Sequence, residues 1–177
     1  MAGNNDMRVA GIIQDSIVDG PGLRCAVYVQ GCGFRCEGCH NPDTWDVDGG
    51  VEMRIDDIIS DMRSNPLPRV QYSPLPGQTV LRLSGSVRPS AGCIELAAAA
   101  RSKGLNVWVY SGGTFEELLE KAKNDPEAYQ LLSLSDVLVD GRFILSKRTL
   151  SRKWYGSENQ RVIDVQKSLA AGKAVLL

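Results

Sequence analysis

The sequence has little net charge, a single histidine and no long apolar run. Its 177 residues carry 20 Lys and Arg against 21 Asp and Glu, a formal net charge of -1. A near-neutral chain lacks the bulk positive charge that holds polyanions and anionic lipid surfaces, so we expect neither a nucleic acid nor a membrane as a partner. No apolar stretch approaches the roughly 20 residues that a membrane-spanning helix requires.

The first residues of the sequence do not have the pattern expected of a signal peptide. Residues 1–7 are polar and include Asp6, so we expect a cytoplasmic protein. In that reducing compartment, cysteines serve more often as ligands or nucleophiles than as disulfide partners. The length and the composition, 43% hydrophobic and 23% charged, are typical of one globular domain, which we expect to span residues 1–177.

Strand-like segments alternate along the chain with segments of helical periodicity. The predicted strands are 8–13, 23–30, 79–83, 106–110, 136–139 and 161–165, and the predicted helices are 55–65, 92–103, 114–123, 126–134 and 166–177. Two helix starts carry specific signals. Thr114 and Glu117 are spaced as a capping box, and Pro126 suits a first helical position.

This alternation favours an α/β fold with a largely parallel sheet and helical crossovers. A complete eight-stranded barrel typically takes about 250 residues, more than this chain has. We therefore expect a partial, open TIM-like β/α barrel of about five to six mostly parallel strands.

Three of the five cysteines lie within eight residues, directly after a predicted strand. Cys32, Cys36 and Cys39 form a CxxxCxxC array with glycines between them, which allow the backbone to approach a bound group closely. Thiolates grouped in this way bind soft metal centres, and iron–sulfur clusters are held by such arrays. Three local ligands would leave one iron of a four-iron cluster open.

Two other interpretations of the array stay open at this point. A structural zinc ion needs four ligands, which would require His40 or Cys25 as the fourth. The other interpretation is a disulfide, or three unrelated core cysteines. Cys25 lies in an apolar strand and Cys93 at a helix start, positions that are typical of small core residues.

The surrounding motifs resemble those of a known family. The sequence contains Val18-Asp-Gly-Pro-Gly-Leu-Arg24, Gly38-Cys39-His40-Asn41-Pro42, Val137-Leu-Val-Asp-Gly-Arg-Phe143 and Trp154-Tyr-Gly-Ser-Glu-Asn-Gln160. The CxxxCxxC array is a hallmark of radical S-adenosylmethionine enzymes. The further motifs, from near Ile12 to near Asp164, make the chain similar to the activating proteins of anaerobic ribonucleoside-triphosphate reductases.

The resemblance implies a glycyl-radical activase. Cys32, Cys36 and Cys39 would bind a 4Fe-4S cluster, and S-adenosyl-L-methionine would bind its open iron, beside Gly38, Cys39 and His40. Reductive cleavage of that cofactor would yield a 5′-deoxyadenosyl radical, which would take a hydrogen atom from a glycine of the reductase. The implied partners are the reductase and a flavodoxin- or ferredoxin-like electron donor.

One loop departs from the family pattern. After the strand that corresponds to the predicted strand 79–83, the family usually has Ser-Gly-Gly, an acidic residue and Pro. In the family, this loop touches the methionyl amine of the cofactor. Here Ser84, Gly85 and Ser86, which we expect to contact the cofactor, are followed by Val87, Arg88 and Pro89.

This departure keeps two alternatives open. The first is an activase for another glycyl-radical enzyme, or another small radical S-adenosylmethionine enzyme. The second is a non-catalytic interaction protein that only binds a cluster.

Overall fold

Seven strands form one mixed sheet whose middle is parallel. The computed structural model describes residues 6–62, 78–82 and 91–177. The strands are β1 (Asp6–Ser16), β2 (Arg24–Val29), β3 (Val51–Arg54), β4 (Gln78–Arg82), β5 (Asn106–Tyr110), β6 (Val137–Asp140) and β7 (Arg161–Asp164). They lie in the order β3-β1-β2-β4-β5-β6-β7, with β2, β4, β5 and β6 parallel to one another.

The α/β class is confirmed, but the predicted strand number and the mostly parallel pairing are wrong. Within the described residues the sheet has seven strands, and both of its flanks are antiparallel, through the pairs β1–β2, β1–β3 and β6–β7. The sequence prediction missed β3 because its residues are mostly exposed at the sheet edge and show no buried alternating face.

Five helices in the described residues follow the predicted order. They are α1 (Ile55–Asp61), α2 (Ala91–Ser102), α3 (Phe115–Ala122), α4 (Pro126–Leu134) and α5 (Val165–Ala171). The capping box of Thr114 and Glu117 is present, and Pro126 begins α4. The predicted last helix is too long, because Gly172 adopts a left-handed conformation and ends α5. None of these helices has the length and apolarity needed to cross a membrane.

The two faces of the sheet have different coverings. Alternate residues of the central strands, among them Val27, Val107 and Leu138, pack with the helices into the main core. The opposite face carries a smaller aromatic and aliphatic cluster around Trp108 and Tyr110. No helix of the described residues contributes to this second cluster. We call the side of the sheet that carries it the inner face.

The parallel strands place several loops at one edge of the sheet. Parallel neighbours have their carboxyl ends on the same side, which is where α/β proteins carry their binding loops. The segments after β2, β5 and β6, which begin at residues 30, 111 and 141, therefore emerge close together, and β4 ends at Arg82 between β2 and β5. This edge holds the candidate site.

Candidate functional site

The three clustered cysteines lie in one loop at the carboxyl end of β2. Cys32 is buried, Cys36 and Cys39 are half-buried, and all three line one open cleft. The backbone N–H groups of Gly31 and Cys32 both donate to the carbonyl oxygen of Thr44, at 2.9 and 2.8 Å, which fixes the start of the loop.

Backbone N–H groups in this loop point at sulfur atoms. The N–H of Asn41 donates to the Sγ of Cys39 at 3.4 Å. Burial raises the pKa of the Cys32 thiol, while hydrogen bonds from the backbone of Phe34 and Arg35 act in the opposite direction. Because such bonds stabilise the thiolate form, the form that binds metal, the loop suits the sulfur ligands of an iron–sulfur cluster.

The geometry does not favour the alternatives for the array. All five cysteines are free, so the structure contains no disulfide. Among the described residues, no three His, Cys, Asp or Glu side chains gather around a point in the way that a single ion requires. A four-iron cluster makes a different demand, because each cysteine binds a separate iron.

Cys25 and Cys93 stand apart from this loop. Both are buried in the core between the sheet and the helices, so Cys25 faces away from the inner face of the sheet. Burial raises the pKa of the Cys25 thiol to about 11, which keeps it protonated at neutral pH. The prediction that both residues are core thiols agrees with these positions, and Cys25 is not placed to complete a zinc site.

The opposite wall of the cleft comes from the loops after β5 and β6. Tyr110, Ser111 and Gly112 line it from β5, and Val139 and Gly141 line it from β6. The ring of Phe34, between the first two cysteines, packs directly on Gly112. A Cβ atom at residue 112 would lie 2.4 Å from the Cδ2 of that ring. No local sequence pattern indicates this contact, since Gly112 is simply the first of two adjacent glycines.

The predicted cofactor residues 38–40 lie at the third side of the cleft. Cys39 and His40 line it, and the His40 ring lies 5.0 Å from the ring of Phe143, between centroids. Gly38 has φ +69°, and a Cβ atom there would lie 2.8 Å from the Cδ1 of Leu145. The cysteine loop therefore packs against the segment that follows β6.

Two motifs that are far apart in sequence meet at this wall. Gln160 donates to the carbonyl oxygen of Gly141 at 2.9 Å and accepts from the N–H groups of Gly156 and Ser157. Asn159 donates to the carbonyl oxygen of Arg142 at 2.8 Å. The 156–160 segment thus holds the 140–143 loop in place, and both border the cleft.

The glycine-rich turn before β2 covers the inner face but does not line the cleft. Asp19 is buried and accepts hydrogen bonds from Ser16 at 2.6 Å and Tyr28 at 3.3 Å. The guanidinium group of Arg24 lies 4.5 Å from the centre of the Trp108 ring, and burial lowers its pKa to about 10. These contacts anchor the turn to Tyr28 of β2 and to Trp108 of β5.

The predicted cofactor loop of Ser84, Gly85 and Ser86 lies outside the described residues. The described strand before it, β4, ends at Arg82 between the ends of β2 and β5.

Comparison with known proteins gives two kinds of match. A family model described as a 4Fe-4S single cluster domain matches residues 18–163. The anaerobic ribonucleoside-triphosphate reductase-activating protein of Escherichia coli K12 is 34% identical over 157 residues, covering 82% of this chain and 91% of that protein. The protein of the same name from Vibrio cholerae is 31% identical over 153 residues, covering 81% and 89%.

A second kind of activating enzyme is also similar. The pyruvate formate-lyase-activating enzyme of Clostridium pasteurianum is 33% identical over 120 residues. That match covers 64% of this chain and 48% of the Clostridium protein.

Proposed function

Because this chain belongs to the 4Fe-4S single cluster domain family and to the family of anaerobic ribonucleoside-triphosphate reductase-activating proteins, we propose that it activates an anaerobic ribonucleotide reductase by generating a glycyl radical on it. The observation that carries the proposal is the loop of three cysteines that line one cleft at the carboxyl edge of the parallel strands.

When bound by Cys32, Cys36 and Cys39, a reduced 4Fe-4S cluster would supply the electron for cleavage of S-adenosyl-L-methionine to methionine and a 5′-deoxyadenosyl radical, and this radical would take a hydrogen atom from a glycine of the reductase. The protein supplies binding, orientation and exclusion of water.

The residues of the cysteine loop are assigned as the iron ligands. Cys32, Cys36 and Cys39 hold three irons in this proposal and leave the fourth free for the cofactor. The N–H groups that point at the sulfurs of Cys32 and Cys39 support this assignment, since they stabilise thiolate ligands.

The remaining walls of the cleft are assigned to the cofactor. Gly38, Cys39 and His40 on one side, and Ser84, Gly85 and Ser86 after β4, would contact S-adenosyl-L-methionine. The position of the β4 end, between the cysteine loop and the loop after β5, supports a role for the residues that follow it. Buried Tyr110 and Val139 close the cleft from below and keep water from that side.

We extend the proposal to the architecture and the partners. The single sheet that runs through all described strands supports one domain over residues 1–177, and its parallel centre supports an open, partial barrel of the radical S-adenosylmethionine type. The protein substrate is the reductase, the electron comes from a flavodoxin- or ferredoxin-like donor, and the activity belongs in the cytoplasm.

The two alternatives are less well supported. Relatives that match this chain over nine-tenths of their own length carry the name of the reductase activase, whereas the pyruvate formate-lyase activase matches over less than half of its length. A non-catalytic cluster protein would also not require the cleft beside the cysteines.

Anaerobic reconstitution tests the proposal directly. We expect a brown protein with about four irons per chain that converts S-adenosyl-L-methionine to 5′-deoxyadenosine and methionine under dithionite. Cys32→Ala, Cys36→Ala and Cys39→Ala should each abolish the cleavage. Cys93→Ala is the matched control, because Cys93 is buried in α2 and belongs to the core on the helical side. A colourless protein, or equal loss of cleavage in all four variants, would overturn the proposal.

A further inference from the structure

A basic segment with exposed apolar residues lies beside the cysteine loop. Residues 142–153 contain five Arg or Lys side chains and no Asp or Glu, in a chain whose formal net charge is -1. Lys147, Arg148, Arg152 and Lys153 are all exposed. Leu150 is 86% exposed and Leu145 is 44% exposed, so apolar and positive groups share one surface.

The first residues of this basic segment pack against the cysteine loop. Near its start, the guanidinium carbon of Arg142 lies 4.7 Å from the centre of the Phe34 ring, and Leu145 packs on Gly38. Farther along, the N–H of Thr149 donates to the carbonyl oxygen of Gly156 at 3.0 Å, at the border of the cleft. A protein seated on the basic segment would therefore lie next to the cysteine loop.

The charges around the segment leave it positive. Arg142 forms an ion pair with Glu117 at 3.3 Å. Glu158 lies just after the segment, and Glu37 lies in the cysteine loop. Exposed Arg35 adds a further positive charge between the first two cysteines. Clustered charge of one sign speeds the encounter with an oppositely charged partner and orients it.

We infer that residues 142–153 form the docking surface for an acidic one-electron donor protein that carries a flavin. The inference rests on the proposed function, since it concerns the electron that reduces the cluster. One electron passes from the donor, which is oxidised by one electron, to the cluster of this chain. No bond is formed or broken in this step. The exposed apolar residues supply the contact area, and the basic residues supply orientation and rate.

Charge reversal tests the assignment. The reconstituted full chain with Lys147→Glu and Arg152→Glu is compared with wild type in stopped-flow reduction by an acidic bacterial flavodoxin, prepared in its reduced form. We expect the second-order rate constant of the variant at low salt to be at least about tenfold lower than that of wild type. Added salt should lower the rate constant of wild type but not that of the variant. Dithionite is a small reductant that needs no docking surface, so cleavage of S-adenosyl-L-methionine under dithionite should stay unchanged.

A matched control carries the same change in net charge elsewhere. Lys123 and Lys173 are exposed and follow the ends of α3 and α5, away from the cysteine loop. Lys123→Glu with Lys173→Glu should leave reduction by flavodoxin at the wild-type rate.

Two results would overturn the inference. The first is equal flavodoxin rates for the two double variants. The second is an unchanged flavodoxin rate with a loss of glycyl-radical formation under dithionite, which would assign the segment to the reductase instead. Failure of wild type to cleave the cofactor under dithionite would instead contradict the proposed function, because dithionite needs no docking surface.

Discussion

Arg161 donates hydrogen bonds to both carboxylate oxygens of the fully buried Asp140, at 3.0 and 2.5 Å. The same carboxylate accepts the N–H of Phe115 at 2.7 Å, at the start of α3. Arg161 also binds the exposed Glu116, and these partners raise its pKa further above the usual range. Since Asp140 is followed directly by Gly141 of the cleft wall, this ion pair joins β6, β7 and α3 beneath the candidate site.

Removing the arginine should destabilise the fold. In Arg161→Met the carboxylate of Asp140 stays buried without its cation, and we expect the free energy of unfolding to fall by about 3 kcal/mol. Urea unfolding measures the change. Glu116→Gln breaks only the exposed arm of the network and should cost less than about 1 kcal/mol. Equal, small losses in the two variants would show that Asp140 does not depend on Arg161.

A methyl group at residue 112 should disturb the cysteine loop. In Gly112→Ala the new Cβ would meet the Phe34 ring at 2.4 Å, so the ring and the adjoining cysteines must shift. We expect less iron per chain after anaerobic reconstitution. Gly113→Ala is the matched control, because a Cβ there meets its nearest neighbours at 3.5 Å, an ordinary contact. Wild-type iron content in Gly112→Ala would contradict the packing of Phe34 against the cleft wall.

The charge of Arg88 should weaken cofactor binding. The family has an acidic residue in this loop near the methionyl amine, so a positive charge there should repel the ammonium group. Arg88→Glu is expected to lower the KM for S-adenosyl-L-methionine in the dithionite-driven assay. Arg88→Gln separates loss of the positive charge from gain of a negative one. An unchanged or higher KM in both variants would show that this side chain does not face the cofactor.

Acid should destabilise the protein partly through Asp164. This carboxylate caps α5 by accepting the N–H of Lys167 at 3.0 Å. That hydrogen bond, followed by the bond to the Lys167 side chain, lowers the pKa of Asp164 below its ordinary range. A carboxyl group whose pKa is lower in the folded state adds stability above its unfolded pKa, and this stability is lost as the pH falls through the folded value.

The matched variant for this effect is Asp164→Asn, which keeps a capping side chain but does not titrate. We expect wild type to lose more unfolding free energy than the variant between about pH 5 and pH 3, as measured by urea unfolding at each pH. Parallel pH profiles for the two proteins would refute the contribution of Asp164.

Much of the fold follows from local signals in the sequence. The strand 106–110 and the capping box at Thr114 appear as predicted, because buried alternation and capping chemistry act over a few residues. The exposed edge strand β3 and the antiparallel flanks were not predicted. Pairing between strands depends on contacts distant in sequence, and an exposed strand such as 51–54 carries no buried pattern.

The candidate site, like the fold, is only partly predictable from local sequence. The spacing of Cys32, Cys36 and Cys39 predicts their common loop, and the structure places all three on one cleft. The contacts of Phe34 with Gly112 and with Arg142 link residues about 80 to 110 positions apart, so no local pattern indicates them. They emerge only once the parallel strands bring their carboxyl ends to one edge.

The central claim is that this chain generates a glycyl radical on an anaerobic reductase. Electron paramagnetic resonance, recorded after this chain is mixed with the anaerobic reductase from the same organism, tests it most directly. With the reconstituted chain, S-adenosyl-L-methionine and dithionite, we expect a glycyl radical on the reductase. The radical should be absent when Cys36→Ala replaces wild type and present with Cys93→Ala. A chain that holds four irons and cleaves the cofactor, yet yields no glycyl radical on the reductase, would contradict the assignment as its activase.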